Sequence, residues 1–92
     1  MIKSFKHKGL EGFFSTGSVS KVQSKHVPRL NLILTLLNAA THARQLNAPA
    51  LRLHPLKGKP VGRFAVKVDE NFRVIFRFEG GHAVEVDYVD YH

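Results

Sequence analysis

Three side chains suited to moving protons stand together at the end of the sequence: the carboxyl of Asp90, the phenol of Tyr91 and the imidazole of His92. A further imidazole, His54, lies in the basic stretch LRLHPLKGKPVGR among Arg52, Lys57, Lys59 and Arg63, and Arg73 follows in NFRVIFRF. Together these groups suit one reaction. RNA carries its own nucleophile, the 2′-hydroxyl. Cleavage without a metal then needs a base for the 2′-proton, an acid for the departing 5′-oxygen and a cation for charge growing on the phosphoryl oxygens. Imidazole serves either proton role, because its unperturbed pKa of about 6.5 lets both forms exist near neutrality. A guanidinium serves the phosphate, because its fork bonds two oxygens and never loses its proton. By sequence His54 and His92 are interchangeable as base and acid.

Each residue also has an ordinary reading. His54 alone could be a loop histidine and His92 a solvated tail residue. Arg73 could be a strand-face arginine paired with Glu85. His7, His26, His42 and His82 are expected at the surface or facing a partner. Tyr88 suits either the core or the rim of a site.

The elements that must position these groups follow from periodicity. MIKSF alternates and reads as a short strand. GLEGFFSTG sets Leu10, Phe13 and Phe14 at helical spacing, with Gly17 as the stop. A second helix starts near Ser24 as N-cap, with Pro28 in its first turn. Val27, Leu30, Ile33, Leu34, Leu37 and Ala40 form its buried stripe, and His42 and Arg44 lie near its C-terminus. Residues 51–63, with two prolines and two glycines, read as mostly loop. From Phe64 onward the period is two: Phe64, Val66 and Val68, then Phe72, Val74, Phe76 and Phe78, then Val84, Val86 and Tyr88, with turns at DEN and EGGH. The phenylalanines follow the buried parity and belong to the core rather than to a base-stacking surface. The expected fold is α+β, one domain over residues 1–92, with an N-terminal strand and two helices on a C-terminal antiparallel meander. On an ideal strand Tyr91 shares parity with Asp87 and Val89, while Asp90 and His92 share parity with Val84 and Val86. Asp90 then suits a supporting role, orienting a histidine ring.

Charge narrows the partners. Fourteen Lys and Arg face seven Asp and Glu, a net +7 with a pI near 10.2. Residues 1–78 hold all fourteen bases and three acids, +11; residues 79–92 hold four acids and no Lys or Arg, −4. A basic body of this size attracts polyanions. Without cysteine, disulfides and thiolate metal sites are excluded, and the cytoplasm is the expected compartment. No apolar run has membrane-spanning length, and the first residues lack the apolar core of a signal peptide, so no membrane association is expected.

The opening MIKSFKHKGL, the segment RLHPLKG, the strand NFRVIFRF and the final DYH, in that order and spacing, resemble the HigB toxins. These belong to the RelE/ParE superfamily of type II toxin–antitoxin systems. The resemblance spans essentially the whole chain. It implies the small RelE-like, microbial-RNase-like fold. It also implies a ribosome-dependent endoribonuclease, or mRNA interferase, that cuts messenger RNA in the A site of the small subunit by 2′-hydroxyl attack, without cofactor or metal, and so arrests translation and growth. By this likeness His54, Arg73, Asp90, Tyr91 and His92 are catalytic, and Lys57 and Arg73 bind phosphate. The implied partners are a helix-turn-helix antitoxin of HigA type, the ribosome and its messenger, with operator DNA met only through the antitoxin. Three other readings compete: a metal site from His54, Asp90, His92 and perhaps His82, a non-catalytic nucleic-acid-binding module, and a gyrase-poisoning toxin of ParE type. No helix-borne HxxxH or paired-carboxylate spacing supports the metal site.

Overall fold

A computed structural model describes residues 1–91. Two helices, α1 (Lys8–Thr16) and α2 (Val27–Ala39), precede four strands: β1 (His54–Pro55), β2 (Phe64–Lys67), β3 (Phe72–Glu79) and β4 (His82–Asp90). The strands form one antiparallel sheet in the order β1-β2-β3-β4. The helices cover one face, where Leu10, Phe13, Leu30, Ile33, Leu34 and Leu37 pack with Val66, Val74, Phe76 and Val86 in a single core. The α+β expectation holds, and the rows of alternating apolar residues are its cause.

Helix α1 begins where the His7 ring Nδ1 accepts from the Leu10 amide at 3.0 Å. It ends at Gly17, which takes φ +79° and donates its N–H to the Phe13 carbonyl. Only glycine adopts that conformation without strain. Helix α2 departs from expectation at both ends. Ser24 is not an N-cap; it opens a short 3₁₀ turn, Ser24–His26, that feeds the helix. The helix stops at Ala39, so His42 and Arg44 fall beyond it, where His42 caps a separate turn.

Three further expectations are corrected. MIKSF is not a regular strand: Ile2 and Phe5 each make an isolated parallel bridge to β4, at Ala83 and Val86. A β-bulge in β4 explains the break. Glu85 takes φ +54°, and its amide turns to the Ser4 hydroxyl at 2.9 Å instead of continuing a ladder. The bulge also shifts parity, so Ala83, Val86 and Tyr88 are buried, whereas Val84 is not. The stretch read as mostly loop contributes β1, whose His54 and Pro55 pair with Ala65 and Phe64. Pro55 has no N–H to extend the ladder, which suits it to this edge.

Candidate active site

Strand register decides which side chains share a face. Directly opposed residues on neighbouring antiparallel strands point the same way. One row runs across all four strands: His54, Ala65, Ile75 and Asp87. The next row is Lys67, Arg73 and Val89. Both rows lie on the face away from the helices. From strand spacing and rise, the His54 and Arg73 backbones stand roughly 12 Å apart, two strands over and two residues along. Ala65 and Ile75 floor the space between them, and Ile75 is only 7% exposed.

Arg73 is held by the backbone. Its Nη1 donates to the carbonyls of Asp69 at 2.6 Å and Phe72 at 3.0 Å. Neutral carbonyls fix a guanidinium without cancelling its charge. Arg77, on the same face, is different: it donates to Glu85 at 3.0 Å and Glu79 at 2.9 Å. Its guanidinium holds the Glu85 carboxyl below the usual range, and both acids push its own pKa up. The pairing with Glu85 considered for Arg73 is therefore made by Arg77.

Tyr91 lies beside Arg73, whose Cζ is 5.8 Å from the centre of the phenol ring, a cation–π arrangement. Its amide donates to the Asn71 carbonyl, which carries the pairing one residue past β4. The ring is 44% exposed. Asp90 opposes Phe72 and so belongs to the other face, as the parity of the strand requires. His92 lies outside the described residues. His54 is exposed, and its ring Nδ1 donates to the carbonyl of Arg52 at 3.1 Å, leaving Nε2 to accept a proton. Lys57 is exposed in the loop that follows β1. The fold thus brings Arg73 and Tyr91 together, sets His54 across the same face and turns Asp90 to the other.

One residue beneath this site escaped the sequence. His26, expected at the surface or facing a partner, is 1% exposed and is the buried polar residue of the core among the described residues. Its Nδ1 is 2.5 Å from the Tyr88 hydroxyl and its Nε2 is 2.6 Å from Asp69 Oδ2. The His26 bond, with help from the Phe72 amide, holds the Asp69 carboxyl far below the usual carboxylate range. Burial pushes the Tyr88 phenol up. An ionised Asp69 only accepts, so Nε2 carries the proton, and in the neutral ring Nδ1 accepts from the Tyr88 O–H. Tyr88, left open between core and site rim, is a core residue. A histidine N-terminal to a helix gives no local sign of burial; its partners lie 43 and 62 residues away.

Among the described residues no group of three or more His, Asp or Glu side chains could hold a metal ion. No helix there is long and apolar enough to cross a membrane.

Known proteins with this fold and sequence complete the picture. The solved YoeB–YefM complex from Staphylococcus aureus includes a chain of the same fold, with TM-score 0.64 at 14% identity over 100% of this chain and 98% of that one. The YoeB/ParE toxin from Agrobacterium tumefaciens gives TM-score 0.59 at 14% identity, covering 100% and 99%. Sequence reaches further. The Endoribonuclease HigB of Proteus vulgaris is 44% identical over 92 residues, the full length of both chains. The family of RelE-like toxins of the type II toxin–antitoxin system HigB matches residues 3–92. The chain belongs to this family of HigB-like toxins.

Proposed function

We propose that this toxin cuts messenger RNA in the ribosomal A site by metal-independent attack of a 2′-hydroxyl, arresting translation and growth. Endoribonuclease activity itself rests on the relative that is 44% identical from end to end. The mechanism rests chiefly on one observation: the register that puts His54 and Arg73 on one open face of the sheet. A phosphodiester seated over Ile75 meets a guanidinium from one side and an imidazole from the other. In one protonation state an imidazole takes the 2′-proton while the 2′-oxygen bonds phosphorus; in the other it gives a proton to the departing 5′-oxygen. His54 and His92 share these roles. Arg73 stabilises the charge on the non-bridging oxygens, Tyr91 borders the phosphate beside it, and Lys57 adds a mobile positive charge. Asp90, turned to the other face, is given no part at the phosphate.

The ribosome supplies what the site lacks. Among the described residues the open face has no cluster of exposed aromatic rings on which bases could stack. Presentation of the messenger by the ribosome can contribute several kcal/mol by removing the cost of orienting the substrate. A cleft of about 710 Å³ beside α1 supports a ribosomal docking role: Lys6, Lys8 and Lys21 line it with Ser18 and Ser20, against a single carboxylate, Asp87. Such a surface attracts RNA phosphates by counterion release. The partner that restrains the toxin is a helix-turn-helix antitoxin of HigA type, through which alone the pair meets operator DNA, and the compartment is the cytoplasm, where ribosomes translate. In vitro translation with and without the protein, with cleavage mapped by primer extension, tests the reading. Cuts appear only in messenger that is being translated; equal cutting of naked RNA would make the protein an ordinary free ribonuclease.

A further inference from the structure

The geometry assigns His26 a role as a positioning residue, which holds Arg73 and Tyr91 in place from beneath the sheet through the turn at Asp69–Phe72. This inference rests on the proposed reaction. Each link in the path is a hydrogen bond. His26 Nε2 donates to Asp69 Oδ2 at 2.6 Å. Asp69 Oδ1 accepts from the amides of Asn71 and Phe72, both at 2.9 Å, which fixes the turn. The backbone of that turn then serves the site on its other side: the Asp69 and Phe72 carbonyls accept from Arg73 Nη1, and the Asn71 carbonyl accepts from the Tyr91 amide.

The ring of His26 is itself locked. Tyr88 bonds its Nδ1, the Gln23 amide bonds the Tyr88 oxygen at 3.3 Å, and Phe72 packs 4.8 Å away, centre to centre. Lys25 Nζ, 3.9 Å from Asp69 Oδ2, is a cation that also faces the carboxylate. That lysine is mostly exposed and screened, so the directed bond from His26 does the aiming. A hydrophobic residue could fill the same volume; what it could not do is tie the end of α2 to the turn that carries the phosphate-binding group. Catalysis is sensitive to such ties, because a charge stabiliser works only where it is aimed in advance.

Two substitutions separate the bonds. His26→Gln places an amide nitrogen near the position of Nε2 and keeps donation to Asp69. His26→Asn reaches only as far as Nδ1 and loses it. Single-turnover cleavage of ribosome-bound messenger is measured for both, with ribosome affinity, at a temperature where circular dichroism shows each protein folded. The expected result is a rate within about threefold of wild type for the glutamine protein and a loss of tenfold or more for the asparagine protein, with equal ribosome affinity. Acting through Arg73, His26→Asn should cost little further rate in an Arg73→Ala background, the non-additivity of coupled residues. Hydrogen exchange of the Tyr91 amide, relative to the Val74 and Phe76 amides, should quicken at least tenfold in the asparagine protein and stay near wild type in the glutamine protein. If His26→Asn does not fold, Asp69→Asn, which keeps an acceptor for the turn amides, must show the same rate loss and faster Tyr91 exchange. A wild-type cleavage rate with wild-type Tyr91 exchange, or losses that add in full to that of Arg73→Ala, would overturn the role. Should the wild-type protein cut no ribosome-bound messenger, the functional reading fails instead, and the exchange measurement still judges the network.

Discussion

The two sides of the open face are built in opposite ways. On the β1 side, His54 sits on a strand of two residues at the sheet edge, exposed, with its ring bonded among the described residues only to a carbonyl two residues back. On the β3–β4 side, Arg73 and Tyr91 stand over a turn that is tied to a histidine buried in the core. A phosphate-binding cation is most useful when aimed beforehand, because fixed charge costs no reorganisation during the reaction. The contrast teaches that two neighbouring parts of one face are mounted differently: Arg73 and Tyr91 over a turn tied to the core from the opposite face, His54 on a short edge strand.

The largest expected effect comes from the free side. His54→Ala should lower cleavage of ribosome-bound messenger by about 10²–10⁴-fold, as loss of a general acid or base does. Its thermal midpoint should stay within a degree or two of wild type, since an exposed side chain outside special features contributes little stability. A falling midpoint would mean that β1 is as firmly built into the fold as β3, and the contrast would break.

Arg73→Ala is next, with a loss of roughly 10²-fold or more and the fold intact by circular dichroism. Arg73→Lys should recover only part, because an ammonium cannot reproduce the planar fork. Wild-type cleavage by the alanine protein would show that the anchored half is not the phosphate-binding half.

Stability should respond in the reverse order. Tyr88→Phe removes the hydroxyl that satisfies His26 and should cost about 1–3 kcal/mol in urea unfolding, as an orphaned buried polar group does. Acid should probe the same network. Because the folded-state pKa of Asp69 is depressed, its contribution is fully present at neutral pH and is lost as pH falls below about 4 toward the folded-state value. Asp69→Asn should therefore be less stable than wild type at pH 7, and the gap should narrow as pH is lowered from 5 to 2. A constant gap, followed through urea midpoints at several pH values, would remove Asp69 from the account.

The smallest effect concerns the cleft beside α1. Lys8→Ala and Lys21→Ala should each weaken ribosome binding modestly and reduce the slope of log K against log salt by roughly 0.7–0.9. Unchanged slopes would place the ribosome contact elsewhere.

Much of this was legible in the sequence because it is local. The 3.6-residue stripe from Leu30 to Ala40 and the alternation from Phe64 to Phe78 report burial through spacing alone, and both are borne out by the core. Where a local rule failed, a distant contact had overridden it. Val84 reads as a core residue until the Glu85 bulge, answered by Ser4 from 81 positions away, shifts the strand by one. HP reads as loop because two residues ending in proline carry no strand pattern; only pairing with Ala65 and Phe64 makes it β1.

By itself the sequence determined the inventory: a basic chain, two helices, an alternating meander, and a set of imidazole, guanidinium and phenol groups of the kinds that metal-free phosphodiester chemistry uses. It determined too that Tyr91 and Asp90 point to opposite faces, since that follows from the pleat alone. Only the tertiary structure decided which face Arg73 shares with His54, and that His26 is buried beneath the site rather than displayed on the surface. The reason is physical. Periodicity is written in neighbouring residues, whereas the row from His54 to Asp87 and the bonds of His26 to Asp69 and Tyr88 exist only once the chain has closed loops of many residues.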